Sequence, residues 1–192
     1  MAIKTFSAGS VLTASDTNTY LANSGLVYVT EASATTGQTL SVNNCFTSTY
    51  DNYRLVIDPF QPATTAGVGF RLRLRAGLSD ATGADYFFGL MGLYVDGSSA
   101  NTVGNAQTTL DTGIFNTTNT LSLGSSVIDV IRPQKADRTF FMINGILYAG
   151  QFGGRAGFGE HNLTTAYDGF TLLTSTGNIT SAKVRVYGYR QA

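Results

Sequence analysis

Tryptophan is absent from these 192 residues, cysteine and histidine each occur once, proline occurs three times, and charged side chains make up only 12%. Each shortage closes off a class of chemistry. A single thiol, Cys45, excludes an intrachain disulfide framework. Its setting in Val42-Asn43-Asn44-Cys45-Phe46, with no base beside it, reads as a small buried residue and not as a nucleophile. A single histidine, His161, supplies one ligand where zinc takes three or four, and no cysteine pair or second histidine completes a set. No nucleophile elbow and no calcium-loop pattern of aspartates is present. No catalytic, metal or cofactor-binding residue is therefore assigned, and the chain is not expected to be an enzyme. Twelve basic side chains against twelve acidic ones give a formal net charge of zero, which argues against nucleic acid or an anionic membrane as principal partner. No window approaches the roughly 20 apolar residues of a membrane span, and the opening Met-Ala-Ile-Lys-Thr-Phe-Ser lacks the apolar core expected of a signal peptide.

What is abundant points the other way. Glycine occurs 22 times, Phe 12 and Tyr 10 times, set among many Thr, Ser and Asn. Frequent turn residues between aromatic and β-branched runs favour an all-β fold, and the length suits one domain with one filled core. So few charges leave a free monomer weakly protected against association, which favours a subunit whose surface is spent on contacts.

Taken in order, residues 1–25 read as an N-terminal arm and residues 26–192 as a β-sandwich domain. Within the arm, Thr13 is placed to cap a short helix over Ala14 to Ala22, with Asp16 returning the bond. That helix has little apolar surface of its own, so the arm, with Phe6, Leu12, Tyr20 and Leu21, is expected to lie on another surface, in its own chain or a neighbour. The β region begins at Leu26-Val27-Tyr28-Val29. Leu40 to Phe46 follows, then Tyr53 to Ile57, which Pro59 and Pro62 are expected to end. The plainest strand has Val68, Phe70, Leu72 and Leu74 on one face and Arg71, Arg73 and Arg75 on the other. Three like charges at spacing two need solvent, acidic partners or another subunit opposite them.

Ser79 to Ala84 reads as a loop, Tyr86 to Val95 as a central strand or two short ones meeting at a glycine, and Gly97 to Thr109 as a polar excursion. Strands are expected around Thr112 to Phe115, Leu121 to Leu123, Val127 to Ile131 and Arg138 to Tyr148. Gly150 to Gly159 lacks the Lys-Ser/Thr of a phosphate loop and reads as a mobile connection or a glycine loop packed at a symmetry axis, carrying Arg155. Gly169 to Thr174, a turn at Ser175 to Asn178 and a return arm from Ile179 to Tyr189 read as a long hairpin. Roughly nine or ten short strands with regular turns predict a two-sheet antiparallel β-sandwich, with a short helix in the arm. Arg71, Arg73, Arg75, Arg155 and His161 are candidate subunit-interface residues. Tyr86, Tyr94, Tyr148 and Tyr167 are candidate stacking platforms for sugar, with core or sheet-surface positions the plainer reading.

Three segments carry a resemblance. Phe6 to Leu21, Tyr50-Asp51-Asn52-Tyr53-Arg54-Leu55-Val56-Ile57, and Gly177 to Tyr189 resemble stretches of short structural proteins of tailed bacteriophages. The likeness covers the start, the early body and the last quarter, and is weak between about Asp58 and Tyr148. It implies a jelly-roll-like sandwich, often a homotrimer, attached to the particle by its N-terminal segment and made in the host cytoplasm. The expected role is a capsid decoration or cement protein bound to the major capsid protein or another virion protein. A short tail-fibre, head-fibre or tail-adaptor protein with a receptor- or glycan-binding sandwich is the alternative. No nucleic acid, membrane or cofactor is expected as a partner.

Overall fold

The computed structural model describes residues 7–11, 13–16, 25–63, 67–116, 124–148 and 150–190. Thirteen strands form among them. The first seven are β1 (Leu26–Ala34), β2 (Thr39–Val42), β3 (Asn52–Pro62), β4 (Val68–Ala76), β5 (Ser79–Asp80), β6 (Tyr86–Tyr94) and β7 (Thr102–Gln107). The remaining six are β8 (Leu110–Asn116), β9 (Gly124–Ile131), β10 (Thr139–Tyr148), β11 (Phe152–His161), β12 (Gly169–Thr174) and β13 (Ile179–Tyr189).

Eight of these strands make two antiparallel layers, β1-β13-β3-β9 and β2-β12-β4-β8. Numbered one to eight along the chain, the layers read 1-8-3-6 and 2-7-4-5, the double Greek key of a jelly roll. The other five strands are insertions. β5 is a two-residue strand on β4. β6 and β7, inserted between β4 and β8, form one antiparallel pair; β10 and β11, inserted between β9 and β12, form another. The two pairs join through β11 and β6, and β10 pairs with β9, so the first layer grows to β1-β13-β3-β9-β10-β11-β6-β7. A short parallel pairing of β8 with β10 ties the layers at one corner. There the backbones pass so close that a Cβ on Gly145 would lie 2.7 Å from the Gly113 carbonyl carbon.

Period-two alternation builds the core. Tyr53, Leu55, Ile57 and Phe60 of β3, with Val184 and Val186 of β13, face Phe70, Leu72 and Leu74 of β4 and Phe170 and Leu172 of β12, all fully buried. Phe60 and Phe70 stack across the layers with ring centroids 4.0 Å apart. Phe46 fills the end of the sandwich between Tyr53 and Phe170. Each such side chain stabilises the fold by roughly 1.5–3 kcal/mol through burial. Cys45 lies in this end too, and burial pushes its thiol up to about 12.

Several expectations need correction. Residues 169–174 and 179–189 are strands and 175–178 a turn, yet they do not form a hairpin. β12 pairs with β2 and β4, β13 with β1 and β3, so the turn carries the chain from one layer to the other. Pro59 does not end β3, although Pro62 is its last residue. The strand continues to Pro62, with the register against β9 shifting between Ile57 and Phe60, the kind of bulge that tolerates a missing N–H. The polar excursion contains β7, and the loop after Ala76 contains β5. Most altered is Gly150 to Gly159, which is neither a mobile connection nor a loop: from Phe152 it is strand β11, paired on both sides. Glycine is needed at position 157, where a Cβ would fall 2.0 Å from the Gly89 carbonyl oxygen. A helical turn at Ala14–Asp16 is described. The rest of the expected helix, the strand expected at 121–123, and Phe6, Leu12, Tyr20 and Leu21 lie outside the described residues.

Candidate functional site

The eight-strand layer has an inner face that packs on the sandwich and an outer face that divides sharply. Over β1, β13, β3 and β9 the outer face is polar and internally paired. Arg54 holds Asp129 with two bonds of 2.7 and 2.8 Å, the Tyr189 hydroxyl donates to the same carboxylate at 2.6 Å, and Glu31 lies 3.6 Å from both Lys183 and Arg185. Partial burial works against ionisation of Asp129, but the bonds from Arg54 and Tyr189 outweigh it and hold this carboxyl below its ordinary range.

Beyond β9 the same face turns apolar. The registers set side chains in rows across the strands: Asp129, Met142, Phe158, Gly89 and Val103 in one, Val127, Asn144, Ala156 and Met91 in the next. Val103 is 80% exposed, Met91 74%, Phe158 66%, Leu93 62% and Met142 51%. Three open depressions of about 810, 570 and 640 Å³ adjoin one another across this face. Phe158 stands between the second and third, its ring lying over Gly89. Toward one end Glu160 carries a charge, and it is paired with Arg138 at 3.3 Å. The edge strand β7 has neither charge nor proline, with one bulge at Asn105 and Ala106 opposite Phe87. None of these apolar residues was singled out from the sequence. Their signal was the apolar character of both faces of β6 and β10, which reads as a strand covered on both sides.

Of the five residues named as interface candidates, Arg155 borders the first depression and the other four sit elsewhere, so they do not form one surface. Arg75 is held within its own chain through Nη1 and Nη2 by Asp80, the Leu78 carbonyl, Thr171 Oγ1 and Ser41 Oγ, while its buried Nε has no partner. Arg73 donates to the Thr108 carbonyl oxygen at 3.1 Å. Arg71 is exposed and stands opposite Asp111 in the β4–β8 register. Arg155 points to the inner side of β11 and approaches the same Asp111 at 3.8 Å, so these two arginines converge on one carboxylate. Burial raises the Asp111 pKa, and the Gly113 N–H, Arg155 and Arg71 pull against that rise. His161 ends β11 with no exposed surface, its Nδ1 3.1 Å from the Tyr167 hydroxyl and its ring edge-on to Tyr86. Burial lowers its pKa. Its Nε2 has no hydrogen-bond partner.

Tyr86 and Tyr167 are buried, and the Tyr86 hydroxyl takes the Leu74 N–H and donates to the Ala81 carbonyl. They are core anchors and not sugar platforms. Tyr94 and Tyr148 are half-buried, and among the described residues the exposed tyrosine is Tyr28, edge-on to Tyr187. Among the described residues no group of three or more His, Cys, Asp or Glu is placed to hold a metal ion, and no helix is long and apolar enough to cross a membrane. No family model and no curated protein matches the chain.

Proposed function

We propose that the protein is a structural subunit of a tailed-bacteriophage virion, a decoration or cement protein that binds the head surface as a homotrimer and stabilises the particle. The observation that carries this reading is the uncovered apolar face of β6, β7, β10 and β11. A patch of that kind on a soluble chain marks a surface made to be covered, and its side chains are suited to contact and not to proton transfer or nucleophilic attack. The likeness of residues 6–21, 50–57 and 177–189 to short virion proteins supports the same reading. The mechanism is mass action on a lattice. Each oligomer bridges neighbouring capsid subunits, so opening the shell also breaks its contacts. Residues 1–25, with Phe6, Leu12, Tyr20 and Leu21, supply the attachment to the particle.

Particles made without the protein test this directly. They are expected to release their genome at a lower temperature than complete particles, and added protein restores the threshold. Protein lacking residues 1–25 is expected to keep the sandwich and lose particle binding. Equal release temperatures with and without the protein would refute the cement role.

A second reading, a fibre or tail-adaptor module that binds a receptor glycan, is favoured by one observation. Tyr28 is exposed beside Tyr187 on the polar half of the sheet, close in register to Arg54. It predicts saturable glycan binding that Tyr28→Ala abolishes, and few copies per particle.

A further inference from the structure

We infer that the outer face of β6, β7, β10 and β11 is the surface on which a second copy of this chain docks. The inference deepens the assembly reading above by naming the partner, and rests on that reading only for its biological setting.

Extent comes first. A side chain of this size exposes roughly 150–200 Å² when free, so at the exposures given above Met91, Leu93, Val103, Met142 and Phe158 together present on the order of 600 Å² of apolar surface. A stable interface buries about 800 Å² per partner. These five residues with their neighbours Ala156, Ile146 and Phe87 reach that scale in one continuous patch, too broad and too open for a small ligand.

Charge selects the occupant. Surfaces that choose a chemically different protein do so through complementary charge, which steers the partner and rejects wrong ones. Among the described residues this face offers little: Glu160 at the rim is held by Arg138, and Arg155, bordering the first depression, leans toward Asp111 on the inner side. The polar half of the same sheet is closed on itself by Arg54–Asp129 and the Glu31 pairs. A neutral apolar face meets a copy of itself with no like-charge penalty. Shape agrees with a cyclic arrangement: Phe158 stands as a ridge between two depressions, so the ridge of one copy is free to fill a hollow of the next, the heterologous contact that closes a ring of three.

The test uses the full chain of 20.3 kDa in sedimentation equilibrium, with two variants placed on the face. Ala156 is exposed between the first and second depressions, and Val103 is the most exposed residue of the patch on β7. Neither substitution removes a core contact, so Ala156→Glu and Val103→Asp are expected to keep the wild-type circular dichroism and melting profile of the protomer. Wild type is expected to sediment as a multiple of the chain mass. Each variant is expected to weaken association at least about 100-fold, since opposed like charges cost several kcal/mol. Ser33→Glu, on the polar half, is expected to change nothing. A monomeric wild type overturns the inference, as does a folded Ala156→Glu or Val103→Asp with unchanged mass. Wild type that is monomeric yet binds particles through this face would also overturn it, in favour of another chain as occupant, and would leave the cement role standing. Self-association through this face without particle binding would uphold the inference and refute the cement role.

Discussion

Lowering the pH from 8 toward 5 is expected to destabilise the protein through His161. The ring has no exposed surface and its Nδ1 faces the Tyr167 hydroxyl. Burial holds its pKa below the ordinary value of 6.5, with the Asp85 carboxylate as the opposing influence. The unfolded chain takes up the proton near 6.5, whereas the folded chain resists it to lower pH. Between those two values the unfolded state binds more protons, so stability is complete above pH 6.5 and declines as the pH falls. The decline reaches at most about 1.4 kcal/mol per pH unit for one proton. The chain has no Trp, so urea unfolding is followed by tyrosine fluorescence or far-UV circular dichroism at pH 8, 7, 6 and 5 and one fixed protein concentration. Wild type is expected to lose stability below 6.5. His161→Gln, which cannot take up a proton, starts from a lower value and is expected to stay flat between 6.5 and 5, before the carboxylates titrate. Parallel pH profiles for the two proteins, or a ring resonance titrating at or above 6.5 in the folded state, would refute the assignment.

Phe60→Ala and Phe70→Ala are each expected to cost about 3–5 kcal/mol, and the double variant to depart from additivity by roughly 0.5–1.5 kcal/mol because the stacked rings share one site; additive losses would contradict the cross-layer stack. Cys45, with its thiol raised to about 12, is expected to resist disulfide-exchange reagents at pH 8 until the chain unfolds, so a labelling rate equal to that of a free thiol would contradict its burial. Gly157→Val is expected to disrupt the β11–β6 pairing, whereas Gly154→Ala, whose nearest neighbour would be Gly145 O at 3.8 Å, changes stability by less than about 1 kcal/mol; hydrogen exchange along β11 distinguishes the two.

The sandwich was legible because alternation is a local signal. Val68, Phe70, Leu72 and Leu74 against Arg71, Arg73 and Arg75 specify a half-buried strand whatever its neighbours are. Pairing is not local. The residues of Ser175 to Asn178 suit a tight turn equally when the chain folds back on itself and when it crosses between layers, so the supposed hairpin split across both sheets. Gly150 to Gly159 misled for a related reason. Glycine lowers strand propensity, yet β11 needs it to pass close to β6, a requirement set by strands distant in sequence. The apolar face was hidden by its own composition. Tyr86 to Tyr94 is apolar on both sides and reads as buried on both, but within one chain only the side bearing Tyr86, Phe88 and Leu90 is covered. The arginine ladder left three answers open, solvent, acidic partners or another subunit, because the sequence does not say which strand lies alongside; Asp80, Asp111 and a backbone carbonyl meet it from within the chain.

The virion role proposed above is tested most directly by imaging intact particles that contain the protein, at a resolution that counts and places each copy. The account predicts many copies grouped in threes over the head, with the β6-β7-β10-β11 faces turned toward one another. A handful of copies at the tail or at one vertex, with those faces open to solvent, would contradict it.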